Sequence, residues 1–271
     1  MRISMCGVAS GASTAGAGAA ILLEAAGQRL LLDCGNASSN RIVRAMGPRE
    51  APDALLFSHL HADHVVGLPE MLLRLALEGR RWPRILGPRD TEAYAAVVYA
   101  LVRFLSANPE RERPAAPLVE LTRPGDELLL GEISVSSVAV PHVARLECLA
   151  RRLEWEGGSV VYSGDTTDAP EILAPLAENA DVLVHECYSG AGMEAFLSSL
   201  PERAREAAGR SLTSSHSRVE TAAAIAQEAG VKTLVLTHLL EQEERSNLES
   251  IAGGIFAGRV IVASEGLVID A

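Results

Sequence analysis

The chain has 271 residues, 48% of them hydrophobic, which is enough to bury one large core and sets the expectation of a single domain over 1-271. Its formal net charge is -11 and Lys232 is the only lysine, so a surface built to grip a long polyanion is not expected and small substrates are favoured over long nucleic acids. No run of about eighteen apolar residues is free of charge or glycine, so no membrane-spanning helix is expected.

Taken in order, Met1 to Gly7 lacks the apolar core and cleavage site of a signal peptide, and the expected compartment is the cytoplasm. Ile3 to Val8, Ala19 to Glu24 and Gln28 to Asp33 read as strands, the last two joined by a turn at Ala26-Gly27; the Gly/Ala/Ser loop over Ser10 to Gly18 has two readings, a tight turn, which is favoured, and a phosphate cradle. Asn40 to Met46 reads as a short helix and Ala54 to Ser58 as a buried strand. That strand runs into Ser58-His59-Leu60-His61-Ala62-Asp63-His64, where three imidazoles and a carboxylate are packed together before helical spacing resumes. His59 and His61 should leave the loop on a similar heading, while Asp63 and His64 open the helix. Neutral imidazole and carboxylate are the donors zinc takes when water must also bind.

Arg84 to Gly87 reads as a strand and Thr91 to Leu105 as a helix with apolar Ala93, Val97, Val98, Leu101, Val102 and Leu105. Tyr94, Tyr99 and Phe104 lie on it, and their face has three readings: core packing, a cover for a site, or a dimer contact. The clusters Arg80-Arg81-Arg84 and Arg151-Arg152 read as surface charge. Asn108 to Pro117 reads as a surface loop, followed by strands over Leu118 to Leu121, Glu127 to Leu130 and Ile133 to Val140, the last leading into Pro141-His142. A hairpin of Leu146 to Trp155 and Ser159 to Tyr162 ends at Ser163-Gly164-Asp165-Thr166. Asp165 has two readings, a carboxylate shared by two cations or a cap for a helix over Pro170 to Ala177, for which Asp168 is better placed.

Asp181 to Val184 is a buried strand that delivers His185-Glu186-Cys187-Tyr188, and Gly190 to Thr213, with a polar helix from Glu202, reads as a lid. Ser217 and Glu220 have capping-box spacing, which predicts a helix over Arg218 to Glu228 that stops at Gly230 and sets His216 beside anion-binding N–H groups. Lys232 to Leu236 delivers Thr237-His238, and the strands over Val260 to Ala263 and Leu267 to Ile269 are expected to close the second sheet. The four cysteines, Cys6, Cys34, Cys148 and Cys187, are widely spaced and read as buried hydrophobes, not as a disulfide framework or a zinc ribbon.

The His-x-His-x-Asp-His run resembles the signature of the metallo-β-lactamase superfamily. All seven histidines, His59, His61, His64, His142, His185, His216 and His238, fall in that run or near the end of an apolar stretch, a joint pattern more specific than any member. The resemblance implies an α/β fold, a four-layer αββα sandwich. It implies that His59, His61 and His142 hold one metal ion, that Asp63, His64 and His238 hold another, and that Asp165 bridges them. Two divalent ions are expected, zinc first, with manganese or iron accepting a similar set. Asp33 is implied to brace the ligand loop by hydrogen bonds without ligating.

The segments around His185-Glu186 and Ser215-His216-Ser217 resemble the loops of the ribonuclease Z-like branch. In that branch the histidine in the place of His216 contacts phosphate and acts as general acid, oriented by the glutamate, so Asp63, His216 and Glu186 are the candidate catalytic residues. One departure matters: a single hairpin separates His142 from Asp165, where ribonuclease Z proper carries a long tRNA-binding arm, and this puts transfer-RNA processing in doubt. The expected activity is therefore cleavage of a small phosphodiester, such as a cyclic nucleotide, by water acidified toward a pKa of about 7. One alternative is a carboxyl-ester, lactone or thioester hydrolase with an apolar lid around Tyr94, Tyr99 and Phe196 and little need for His216. The others are an RNA-processing nuclease and a binding protein without turnover, the last disfavoured because all seven ligand positions are kept. Specificity is expected in Arg80 to Pro117 and Gly190 to Thr213, and the resemblance implies a homodimer.

Overall fold

The computed structural model describes residues 1–270 apart from 12, 14, 48–50 and 107–115. The expected surface loop over Asn108 to Pro117 lies outside the described residues as far as position 115.

The chain opens with β1 (Arg2–Gly7), β2 (Ala20–Ala25) and β3 (Gln28–Leu32), an antiparallel meander turned at Ala26-Gly27. After α1 (Ser39–Met46), the strand β4 (Ala54–Leu56) pairs parallel to β3, the short helix α2 (Ala62–Val65) and α3 (Leu68–Leu77) follow, and β5 (Arg84–Gly87) extends the parallel run. Helix α4 (Thr91–Leu105) and the edge strand β6 (Val119–Leu121) complete the half. The second half has β7 (Glu127–Leu130), β8 (Ile133–Ala139), β9 (Leu149–Trp155) and β10 (Gly158–Tyr162) as an antiparallel meander. It continues with α5 (Pro170–Leu176), β11 (Val182–Glu186), α6 (Gly190–Ser199), α7 (Glu202–Thr213), α8 (Val219–Ala229) and β12 (Thr233–Thr237). Helix α9 (Arg245–Gly253), β13 (Arg259–Val262) and β14 (Val268–Asp270) finish the chain.

The two sheets run β14-β1-β2-β3-β4-β5-β6 and β13-β12-β11-β10-β9-β8-β7. Leu23, Leu30, Leu32 and Leu56 of the first meet Val135, Leu153, Tyr162 and Val184 of the second in the shared core. Outside the first sheet, Leu31, Leu55 and Ile85 pack with Ile42, Leu68, Leu72 and Val98 of the helices; outside the second, Val161, Leu183 and Leu234 pack with Leu173, Ala222, Ala226 and Leu248. The expected αββα sandwich is thus what forms. The central parallel strands are covered on both faces, which is why β4, β11 and β12 read as continuous apolar runs with no alternation.

Three local expectations are corrected. Strand β14 pairs with β1 and joins the first sheet, not the second, because the chain crosses over after β13. Ser217 makes no capping box: its hydroxyl donates to the carbonyls of Thr166 and Thr167, and α8 starts at Val219. Asp168 does not cap α5, whose N-cap is Ala169; it accepts from the Arg218 amide at 3.0 Å and so fastens the start of α8. The C-terminal stop of α8 holds, with Gly230 at φ 66°, a conformation glycine adopts without a Cβ clash. All four cysteines are free and buried, as expected of small apolar side chains. Among the described residues no helix is long and apolar enough to cross a membrane.

Candidate active site

In open α/β sheets, ligands sit outside the carboxyl ends of the strands, and four parallel strands here end at one place. Strand β4 delivers His59, His61, Asp63 and His64, β10 delivers Asp165, β11 delivers Glu186 and β12 delivers His238. His142 arrives just after β8, and His216 lies between α7 and α8. Six of the seven histidines therefore converge; His185 does not, and is buried with its Nδ1 2.6 Å from the Glu186 carbonyl.

The imidazole tautomers follow from their outer partners. His142 donates through Nδ1 to the Ser215 carbonyl at 2.6 Å, which leaves Nε2 as a lone pair facing inward. The Ser58 hydroxyl donates to Asp33 Oδ2 at 2.7 Å, so the His59 Nδ1, 3.1 Å from Ser58 Oγ, donates to that hydroxyl oxygen and His59 Nε2 also faces inward. His59 Nε2 and His142 Nε2 then lie 2.9 and 3.1 Å from His61 Nδ1. His64 donates through Nδ1 to Asp33 at 2.8 Å, and its fully buried Nε2 faces Asp165 Oδ1 at 3.2 Å. His238 Nε2 is 3.1 Å from Asp63 Oδ2 and 3.3 Å from Asp165 Oδ2. The Asp165 carboxylate thus turns one oxygen to His64 and the other to His59, His142 and His238, at distances from 3.3 to 3.9 Å.

Electrostatics divide the imidazoles into two kinds. Burial lowers His59 well below the ordinary histidine value, lowers His61, and pushes His142 down to about 4. Burial also disfavours the charged form of His64, but the Asp165 and Asp33 carboxylates on its two sides raise it well above the ordinary value. The Asp165 carboxyl is opposed by burial and yet held well below the carboxylate range by His238 and His64. The inward lone pairs of His59 and His142 converge on His61 Nδ1, the Asp165 carboxylate stands among imidazoles, and the groups His59/His61/His142/Asp165 and Asp63/His64/Asp165/His238 each offer four ligand atoms within 4.8 Å of one another. The donor set fits two divalent cations that share Asp165.

Asp33 braces this cluster as expected. It takes hydrogen bonds from the Ser58 amide, the Ser58 hydroxyl, His64 Nδ1 and the Tyr162 hydroxyl, all at 2.7 to 2.8 Å. Its φ of 59° and the 57° of His238 are left-handed for residues with a Cβ, a strain of about 1 kcal/mol or more each that the surrounding bonds hold in place. Gly35 is required two residues on: a Cβ there would stand 2.0 Å from the Asp63 carbonyl, so the loop after β3 closes against α2 only with glycine. Tyr162, whose hydroxyl reaches Asp33 across 129 positions, was not foreseen. Its place at the end of β10, three residues before Asp165, is the available signal.

Next to the cluster, His216 Nδ1 lies 2.8 Å from Glu186 Oε2, and the other Glu186 oxygen accepts from the Thr166 amide at 2.6 Å. Burial disfavours a charged His216, but the Glu186 carboxylate outweighs it and raises the imidazole to about 9. The ring stacks on His238 with centroids 5.2 Å apart. A cavity of about 230 Å³ opens over these groups, walled by Ser10, Gly11, Val143, Ser211, Leu212 and Ser215. The stretch over Gly190 to Thr213 contributes Ser211 and Leu212 to this wall as part of a pair of helices, α6 and α7.

The aromatic face of α4 is elsewhere. Tyr94 donates to the Val65 carbonyl at 2.7 Å and meets Phe57 edge-on, Tyr99 packs on Trp82, and Phe104 is 79% exposed.

Residues 1–208 match the family described as Anti-Pycsar protein Apyc1. The ribonuclease Z of Mycolicibacterium paratuberculosis is 32% identical over 265 residues, which cover 90% of this chain and 88% of that protein. Among solved structures, the metallo-β-lactamase fold protein YhfI from Bacillus subtilis superposes with a TM-score of 0.76 at 24% identity, over 99% of each chain. Human tRNase Z, short form, superposes at 0.70 with 20% identity, over 100% of this chain and 99% of that one.

Proposed function

The chain belongs to the Anti-Pycsar protein Apyc1 family, within the ribonuclease Z-like branch of the metallo-β-lactamase superfamily, and as a metal-dependent hydrolase of that branch it has, we propose, a small phosphodiester such as a cyclic nucleotide as its substrate. His59, His61 and His142 would hold one divalent ion, Asp63, His64 and His238 the other, with Asp165 shared. When bound, two such ions supply Lewis-acid polarisation of a phosphoryl oxygen and a lowered pKa for water; zinc suits the imidazole-rich set best.

The observation that carries the phosphodiester reading is the pair His216–Glu186 at the cavity wall. With Nδ1 held by Glu186, the His216 proton to be given away sits on Nε2, where it can pass to the leaving oxygen as the P–O bond breaks. Asp63, partly buried and lining the same cavity, accepts a hydrogen bond from the attacking water and orients it toward phosphorus. The cavity volume is below the roughly 300–1,000 Å³ of ordinary ligand pockets, which favours a small substrate.

The ester-hydrolase alternative asks for an apolar lid from Tyr94, Tyr99 and Phe196. None of the three lines the cavity, and Phe196 is buried with Met193 and Leu240. A nuclease is the second reading, favoured by the relative named ribonuclease Z; against it, only the β9–β10 hairpin lies between His142 and Asp165.

The test is turnover of bis(4-nitrophenyl) phosphate by zinc- or manganese-loaded protein beside its His216→Ala variant. Turnover that collapses in the variant supports a phosphodiesterase and directs a screen of cyclic nucleotides. No turnover, or turnover indifferent to His216, transfers the assignment to esters and lactones.

A further inference from the structure

Arg151, on β9, is 1% exposed and, among the described residues, touches no carboxylate. Its guanidinium donates to the Ser137 hydroxyl at 2.8 Å, to the Thr122 hydroxyl at 2.9 Å and to the Phe57 carbonyl at 2.9 Å. Burying a cation without a paired anion is costly, and burial lowers this guanidinium to about 10 against the opposing pull of Asp33. An apolar side chain would join the sheets at lower cost.

The Phe57 carbonyl and the Ser58 amide belong to one peptide group, the one before the Ser58–His59 peptide. Asp33 holds the amide end at 2.7 Å and Arg151 holds the carbonyl end at 2.9 Å, so an anion and a cation grip opposite edges of a single peptide plane. The Ser58 carbonyl is in turn bonded by the Leu149 amide at 3.0 Å, two residues before Arg151 on the same strand. Because the plane fixes the rotation of the chain as it leaves β4, it sets the heading of His59 and, through it, of His61.

We propose that Arg151 is a positioning residue for the half-site of His59, His61 and His142, acting from the second sheet on the Phe57–Ser58 peptide opposite Asp33. The inference rests on the metal-ligand assignment above. Residues that orient metal ligands from behind typically change affinity by about 10–100-fold when removed.

The test is zinc affinity by competition with a chromogenic chelator, measured on the full chain together with the thermal midpoint of the metal-free form. Arg151→Met is expected to weaken zinc about tenfold or more. Zinc affinity within about twofold of wild type, with only the midpoint lowered, would make Arg151 a structural cation and overturn the proposal. If Arg151→Met does not fold, Arg151→Lys decides: a lysine keeps the charge but cannot present the fork to all three oxygens. A folded Arg151→Lys protein with zinc several-fold weaker supports the proposal, and one with unchanged affinity overturns it. A wild-type chain that binds no zinc overturns the ligand assignment as well, before any substitution is made.

Discussion

His64 stands between two buried carboxylates, with Nδ1 2.8 Å from Asp33 and Nε2 3.2 Å from Asp165. In the metal-free chain these carboxylates raise the imidazole well above the ordinary value despite its burial, so at neutral pH a proton occupies the place that a cation would take. Metal ligands bind deprotonated, and loading must therefore release protons. Zinc titrated into the metal-free protein in weak buffer is expected to acidify the solution by about one proton or more per chain, and zinc affinity should rise with pH. A titration that leaves the pH unchanged would contradict the placement of a cation at His64.

Glu186 raises His216 to about 9, and a histidine with a raised value is protonated below it and loses the proton as pH rises through it. Activity that needs the His216 proton is therefore present at neutral pH and falls on an alkaline limb above the ordinary histidine range. His216→Ala should lower kcat by about 10²–10⁴-fold with zinc content unchanged. Glu186→Gln removes the charge that raises His216, and the alkaline limb should move to lower pH. A pH–rate profile with the limb unmoved would show that Glu186 acts on something other than His216.

At the opposite end of the second sheet, Asp181 ties three strands. It accepts from the Ser159 amide at 2.8 Å and from Lys232 at 2.6 Å. Burial opposes its charge, but the Lys232 and Ser159 hydrogen bonds outweigh it and depress the carboxyl. A depressed acid stabilises the fold above its unfolded value of about 3.9 and loses that contribution as pH falls through the folded value. Lys232 is 76% exposed, so solvent screens the pair and Asp181→Asn should cost about 0.5–1 kcal/mol at pH 7. Urea midpoints of variant and wild type are expected to converge as pH falls below the ordinary carboxylate range.

The His59-to-His64 run, the strand-end histidines and Asp165 were legible because each is announced locally, by an apolar run that stops at an imidazole or a carboxylate. The caps were less so: Ser217 has a capping neighbour in sequence, yet its hydroxyl finds the Thr166 and Thr167 carbonyls, which only the folded chain brings near. Arg151 read as surface charge because it precedes a second arginine. Strand alternation separates the two, since Arg151 shares the face of Leu149 and Leu153 and lies between the sheets, while Arg152 turns to Glu154 and the carbonyls of Leu176 and Glu178.

Gly11 joins the early turn to the metal cluster and yields the sharpest prediction for a residue that bears no chemistry. A Cβ at this position would stand 2.8 Å from both Cγ and Oδ2 of Asp63, closer than real contacts allow. The atom in the way is the end of a short side chain, not backbone, so the carboxylate yields before the fold does. Gly11 is exposed and its φ is not left-handed, so a larger residue strains no backbone. Gly11→Val should change stability by less than about 1 kcal/mol while turning Asp63 away from His238. Zinc retained after dialysis should fall from two ions per chain toward one, with His59, His61 and His142 keeping theirs. Two ions retained at wild-type affinity would mean that Asp63 finds another rotamer equally suited to the site, and that the turn over Ser10 to Gly18 does not shape it.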